Sequence, residues 1–203
     1  MTRLARSFFA RPARIVAREL LGAELRRRIG ETWLVGRIVE TEAYGANDPA
    51  SHGFRGRTPR TNVMFGPPGF SYIYFTYGMH HCFNVTCDEE GLAEAVLIRG
   101  IEPLEGIETM RKFRPGITLD RNLTNGPGKI CQAFNLARTE SGIDLLGDGE
   151  IILAQGKQVP SAEIVVTSRI GISLAKDEQW RFYIRGNRFV SPGKPSGELA
   201  TGR

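Results

Sequence analysis

Apolar positions along this chain alternate with polar ones, or stand in short continuous runs, more often than they follow a helical period, so strands dominate the expected structure. Residues 25–29 and 32–42 are two such stretches, and the Gly30-Glu31 pair between them predicts a turn that makes them antiparallel neighbours. Further strands are expected over 71–77, 82–87 and 92–99, and near 150–153, 164–168 and 181–184. Helical patterns are fewer. Pro12 can occupy the first turn of a helix reaching Leu21, with Gly22 closing it. Leu104, Ile107 and Met110 predict a second helix beginning at Glu102-Pro103. Ile130 and Phe134 predict a short amphipathic third, after an irregular turn at Asn125-Gly126-Pro127-Gly128. With no internal repeat and no linker-like stretch, residues 1–203 make one mixed α+β domain, with 1–6 and 192–203 expected as loose ends.

Charge changes this picture more by distribution than by total. The 27 Lys and Arg against 22 Asp and Glu give a formal net charge of +5, a modest excess that suits an acidic partner such as nucleic acid. Arg3, Arg6, Arg11, Arg14 and Arg18, the run Arg26 to Arg28, and Arg55, Arg57 and Arg60 all fall early, which predicts one positive region of surface. Cys82, Cys87 and Cys131 are odd in number and lack close repeated spacing, arguing against a disulfide framework and against a cysteine-built metal site. Arginines interrupt the first eighteen residues and no run approaches a membrane span, so a cytoplasmic protein without a membrane partner is expected.

Three constellations hold candidate chemistry. Glu40, Glu42 and Tyr44 share one side of any strand continued through them, and the following loop contains His52 among its arginines. A solvated edge strand explains the row cheaply; carboxylates beside a basic loop are also the material of a polar site. In residues 71–84, Tyr72 and Tyr74 alternate with Ile73 and Phe75, and Gly78 breaks the run where a hairpin would turn, leaving Tyr77 and Met79 at its tip. Packing against a loop and insertion into a base stack remain equally open for these aromatics. Residues 125–129 offer backbone donors and Lys129 as a phosphate clamp, or merely close a loop; the full nucleotide-binding pattern is missing, which argues against an ATPase. His80 and His81 are adjacent and point apart in an extended chain, so no metal site is expected there.

Five separated blocks together resemble the alkyladenine DNA glycosylase family, also called 3-methyladenine or methylpurine DNA glycosylase. They are residues 37–44 (Arg-Ile-Val-Glu-Thr-Glu-Ala-Tyr), 72–79 continuing to Asn84, 97–99 continuing through 102–111, 125–133 (Asn-Gly-Pro-Gly-Lys-Ile-Cys-Gln-Ala), and 181–186 (Arg-Phe-Tyr-Ile-Arg-Gly). The likeness runs in order across nearly the whole chain. It implies a curved, mainly antiparallel sheet with flanking helices and a protruding hairpin that enters the DNA minor groove. It further implies a monofunctional enzyme, without metal or cofactor, that flips alkylated or deaminated purines out of double-stranded DNA and hydrolyses the N-glycosidic bond. A monomer of compact bacterial type is expected.

By the same resemblance Glu42 matches the catalytic glutamate that activates water, and Arg99 the arginine near the flipped nucleotide's phosphate. Tyr44, His52 and Tyr74 match the walls around the extruded base, and Asn84 the asparagine that crowds guanine's exocyclic amine. Leu97 lies beside them, with Ile170 and Gly171 flanking the nucleotide. Tyr77 matches the intercalating tyrosine, with Met79 beside it, while Gly128 and Lys129 fall in the block expected to contact the DNA backbone. His80-His81 replace the Tyr-Phe of vertebrate members, and the loop from Tyr44 to His52 is one residue shorter. Two other readings are a minor-groove protein without catalysis, which gives Glu42 no reason to face a pocket, and a bifunctional glycosylase, which needs an amine nucleophile such as Lys129.

Overall fold

A computed structural model describes residues 2–76 and 78–197. Its centre is β2 (Thr32–Tyr44), a 13-residue strand in an eight-stranded open sheet. The other strands are β1 (Glu24–Ile29), β3 (Ser71–Thr76), β4 (His80–Cys87), β5 (Glu94–Glu105), β6 (Ile151–Ala154), β7 (Ile164–Thr167) and β8 (Arg181–Ile184). The order is β3-β4-β5-β2-β1-β6, with β8 pairing both β2 and β7, and each of these pairings is antiparallel. The domain is thus a mixed α/β one with an open antiparallel sheet and flanking helices.

The two faces of β2 have different fates, because successive side chains point in opposite directions. On one face the Thr41 hydroxyl donates to the Ala17 carbonyl at 2.7 Å, so this face lies under α2 (Ala13–Glu19). Val16, Ala17 and Leu20 join Val39, Ala43, Ile98 and Phe182 in the main core. Each fully buried aliphatic side chain of this kind contributes about 1.5–3 kcal/mol. The opposite face carries Glu40 and Glu42, both without solvent exposure. A solvated edge strand is therefore not what these carboxylates occupy: β5 pairs with β2 on one side of them and β8 on the other.

The chain departs from the expected elements in three places. β5 runs through Pro103 to Glu105, and α3 starts only at Ile107 (Ile107–Phe113), so the helix expected from Glu102-Pro103 begins later. Proline is tolerated in a strand at an irregularity, and here Pro103 lies opposite Gly36 where the register of β2 and β5 shifts. Gly36 is required at that crossing, since a Cβ there would sit 2.2 Å from Ile101 Cγ2 and 3.1 Å from Phe134 Cζ. Secondly, α1 (Arg6–Phe9) is a short helix inside the expected basic lead-in. Its Phe9 is fully buried, and the Leu4 N–H donates to the Leu153 carbonyl. Thirdly, part of the tail expected to be loose is tied down: Ser196 N–H donates to the Arg169 carbonyl at 2.7 Å, and Ile170 bridges to Pro195. The third expected helix is α4 (Pro127–Ala133), which buries Ile130, Cys131 and Ala133. All three cysteines are free and buried.

Charge pairing also revises the expected positive region. Arg3, Arg6 and Arg11 meet Asp148, Asp144 and Glu19, and Arg26, Arg27 and Arg28 meet Glu24, Glu140 and Glu150. Arg57 and Arg60, by contrast, donate to neutral groups: Asn62 and the Phe65 carbonyl for the former, His52 for the latter. Pairing thus takes up the charge of Arg3, Arg6 and Arg11 but not that of Arg57 and Arg60 beside His52.

Replacing Gly36 by alanine, a change that ordinarily favours a strand, is expected to destabilise the protein by about 1–3 kcal/mol through overpacking against Ile101. Urea denaturation measures it, and equal or greater stability in the variant would show that the β2–β5 crossing has room to spare.

Candidate active site

Four buried charges form the base of the site. Arg99, on β5, lies between Glu40 and Glu42, its Nε 3.4 Å from Glu40 Oε1 and its Nη1 3.3 Å from Glu42 Oε2. Arg181, on β8, donates from Nε to Glu40 Oε1 at 2.7 Å. Glu40 also accepts from the Ser191 N–H at 2.6 Å and from the Ser191 hydroxyl at 2.8 Å. Gly100, opposite Glu40, leaves the room this needs, because a Cβ there would lie 3.2 Å from Glu40 Oε2. Burial opposes the Arg99 charge, but Glu42 and Glu40 outweigh it and hold the guanidinium above its ordinary value.

Glu42 does not itself line the cavity in front of this cluster, but the three groups that bond to it, from Tyr44, Arg99 and Ile170, belong to residues that do. Its Oε1 accepts from the Ile170 N–H at 2.7 Å and its Oε2 from the Tyr44 hydroxyl at 2.9 Å as well as from Arg99. These donors come from three separate parts of the chain and fix the direction of the carboxylate. Burial first, and the Glu42 carboxylate second, raise the Tyr44 phenol well above its usual range, so it serves as a proton donor to Glu42.

In front of this cluster is a cavity of about 440 Å³. Tyr44, His52, Tyr74, Asn84, Leu97, Arg99, Ile170 and Gly171, eight of the residues singled out in the sequence, all line it. His52 meets the Tyr74 ring edge-on, with centroids 4.4 Å apart and planes at 82°. Its Nδ1 lies 3.0 Å from the Tyr72 hydroxyl, and Arg60 Nη2 lies 3.2 Å from its Nε2. The same Nη2 lies 3.4 Å from Nδ1, and since arginine only donates, the ring acts as the acceptor in this contact. Burial, and then the Arg60 charge, lower the His52 pKa to about 4, leaving a neutral imidazole at ordinary pH even though the residue keeps solvent access. Burial also pushes the Tyr74 phenol up. Asn84 donates from Nδ2 to the Tyr72 carbonyl at 2.9 Å and to the Cys82 carbonyl at 3.3 Å. Both of its N–H groups are thereby committed, and only Oδ1 is left for a ligand.

Other candidates lie away from the cavity. Met79 is 66% exposed in the connection between β3 and β4, where Gly78 has φ of +67°. Tyr77 lies outside the described residues. Gly128 packs under His80, with 3.1 Å between its would-be Cβ and His80 Cγ, and Lys129 Nζ donates to Asn125 Oδ1 at 2.7 Å. Neither lines the cavity, although Pro127 does. Among the described residues no group of three His, Cys, Asp or Glu side chains is placed to hold a metal ion, and no helix is long and apolar enough to cross a membrane.

The pairing of Glu40 with Arg181 and Ser191, and a second buried pair, Arg169 with Asp48, were not visible in the sequence. The signal available was weak: a buried charge needs a partner, but nothing in the chain marks which of its charged residues are buried.

Comparison with known proteins agrees with this geometry. Residues 7–188 match the family model described as Methylpurine-DNA glycosylase (MPG). A relative from Carboxydothermus hydrogenoformans, named "Putative 3-methyladenine DNA glycosylase", is 48% identical over 188 residues, 93% of this chain and 98% of that protein. One of the same name from Burkholderia cenocepacia is 47% identical over 197 residues, 96% and 93% of the two chains. Another so named, from Clostridium acetobutylicum, is 46% identical over 201 residues, 93% and 97% of the two chains. With both its core strands and its cavity residues inside the matched span, the chain belongs to the methylpurine-DNA glycosylase family.

Proposed function

We propose that the protein is a monofunctional DNA glycosylase that takes alkylated or deaminated purines into the Tyr44–Tyr74 cavity and hydrolyses the N-glycosidic bond. The observation that carries this reading is Glu42, buried and held by three donors that belong to Tyr44, Arg99 and Ile170, all of which line the aromatic cavity. Breaking an N-glycosidic bond builds positive charge on the sugar, and a carboxylate fixed beside C1′ stabilises that charge and orients the attacking water. Arg99 and Tyr44 contribute by fixing the direction of Glu42. A carboxylate so placed has no task in a protein that only binds the minor groove, and no lysine appears among the described residues that line the cavity, which disfavours an amine nucleophile.

Double-stranded DNA containing the damaged base is the partner. Arg57 and Arg60 bring positive charge to the side of the cavity formed by the His52 loop, and Lys129 and the Gly128 backbone are assigned to the DNA backbone. Met79, exposed between β3 and β4, and Tyr77 are assigned to the minor groove, where an inserted aromatic holds the lesion out of the stack. Alkylation at N3 or N7 makes a purine cationic and a good leaving group, and such a base gains cation–π attraction to Tyr44 and Tyr74. A neutral base such as hypoxanthine depends more on hydrogen bonding. Asn84, pinned by two backbone carbonyls, is a wall that does not withdraw, and it is assigned to the exclusion of a purine 2-amino group.

Glu42→Gln keeps the shape and removes the charge, so base release should fall by roughly a hundredfold or more while DNA binding is largely kept. Single-turnover release of hypoxanthine or ethenoadenine from a duplex measures it, and near-normal cleavage would sink the assignment. Asn84→Ser should raise release of guanine or its analogues relative to hypoxanthine, because enlarging a rigid wall relaxes selection first; a common fall on all purines would make Asn84 structural instead. For His52, an NMR titration should give a midpoint near 4 in the folded protein against about 6.5 unfolded. Between those values the unfolded chain binds the extra proton, so stability should rise with pH across that window more in the wild type than in His52→Gln. Parallel stability curves for the two proteins would contradict the lowered His52 pKa.

A further inference from the structure

The Arg169–Asp48 pair lies behind the cavity wall and takes no part in the chemistry described above. Arg169 is completely buried and Asp48 nearly so. Arg169 Nη1 donates to the Ala43 carbonyl at 3.0 Å and to Asp48 Oδ2, and Nη2 reaches Asp48 Oδ1 at 3.1 Å and the Ala175 carbonyl at 3.5 Å. The guanidinium lies 4.7 Å from the centroid of the Tyr44 ring and 5.1 Å from that of Trp180. Its Nε is buried with no partner among the described residues.

The contacts of this pair run to several components of the site. With Arg169 on one face of the Tyr44 ring, a base has the other face to stack on. The residue after Arg169 supplies the N–H that holds Glu42 Oε1. Asp48 lies in the loop that leads to His52, where its carboxylate accepts from the Ala50 N–H at 3.0 Å and its carbonyl from the Ser51 N–H at 2.8 Å. Ala175, bonded to Nη2, directly follows the cavity-lining residues 170–174. Stability alone is a poor reason for such a pair, since well-packed apolar groups often do as well in its place. A lysine would supply the charge but neither the planar stack nor the forked set of donors.

We infer that Arg169 and Asp48 are positioning residues for base excision, a buried clasp that fixes the Tyr44 wall and the backbone donor to Glu42 from behind. The inference rests on the glycosylase reading. It places the pair's effect in the alignment of the flipped base against Glu42, after DNA has bound.

The test uses the full chain and a duplex with one ethenoadenine, following DNA affinity, the fluorescence of the extruded base and single-turnover release. Arg169→Lys should slow release by about tenfold or more, since small misplacements of a reacting pair are costly, while DNA affinity stays within about threefold. The fluorescence of the bound, flipped base should change with it. In a Tyr44→Leu background the same substitution should cost a clearly smaller factor, because residues that act through one another are not additive. Should Arg169→Lys fail to fold, the charge-neutral pair R169Q/D48N, which leaves no lone buried charge, replaces it in the same measurements. Release at the wild-type rate with unchanged fluorescence would overturn the inference, and so would an equal loss with and without Tyr44. A wild-type protein that releases no base from any purine lesion would instead overturn the glycosylase reading itself.

Discussion

Burying two carboxylates side by side on β2 is the constraint to which the rest of the molecule answers. Each buried ion carries a desolvation cost of several kcal/mol, and removing one partner of such a pair costs about 3–5 kcal/mol. Glu40 and Glu42 are tolerable because Arg99 from β5, Arg181 from β8 and Ser191 all reach them. The same contacts fix how those segments sit around β2. The charge cluster is thus a liability for stability and, for the same reason, a rigid source of electric field at the cavity wall.

What the sequence made legible was the part governed by short range. The strands and their turns follow from alternation and from Gly30-Glu31, and each of the eight expected strands is present, with β5 running six residues past its expected end at Arg99 to Glu105. The helix expected at Glu102-Pro103 failed because a tertiary effect overrode a local one: pairing with β2 carries β5 through the proline, where Gly36 makes space. Arg26 to Arg28 read as free positive charge, yet pairing with Glu24, Glu140 and Glu150 takes up much of it. No local pattern reports that a carboxylate far along the chain will fold back onto an arginine.

The site divides along the same line. The family resemblance pointed to Glu42, Tyr44, His52, Tyr74 and Asn84; the last four line one cavity, and Glu42 is bonded to its lining residues Tyr44, Arg99 and Ile170. Arg99 and Ile170, which hold Glu42, were identified with them, but the supports one layer further back were not. Arg169 and Asp48 are separated by 121 residues, and neither has a neighbour in sequence that marks it as buried. The groups that face a ligand are held in recognisable motifs, whereas the groups that hold them are defined only by the packed fold.

The Ser191 contact has a consequence for how the chain is made. Glu40 accepts two hydrogen bonds from a residue 151 positions downstream. During synthesis β2, β5 and the helices over them leave the ribosome long before Ser191 does, and contacts of such separation close late. Until then Glu40 lacks its final partners. The charge cluster on β2 is accordingly completed late, and a chain halted before Ser191 would hold every strand of the sheet with Glu40 short of two of its donors.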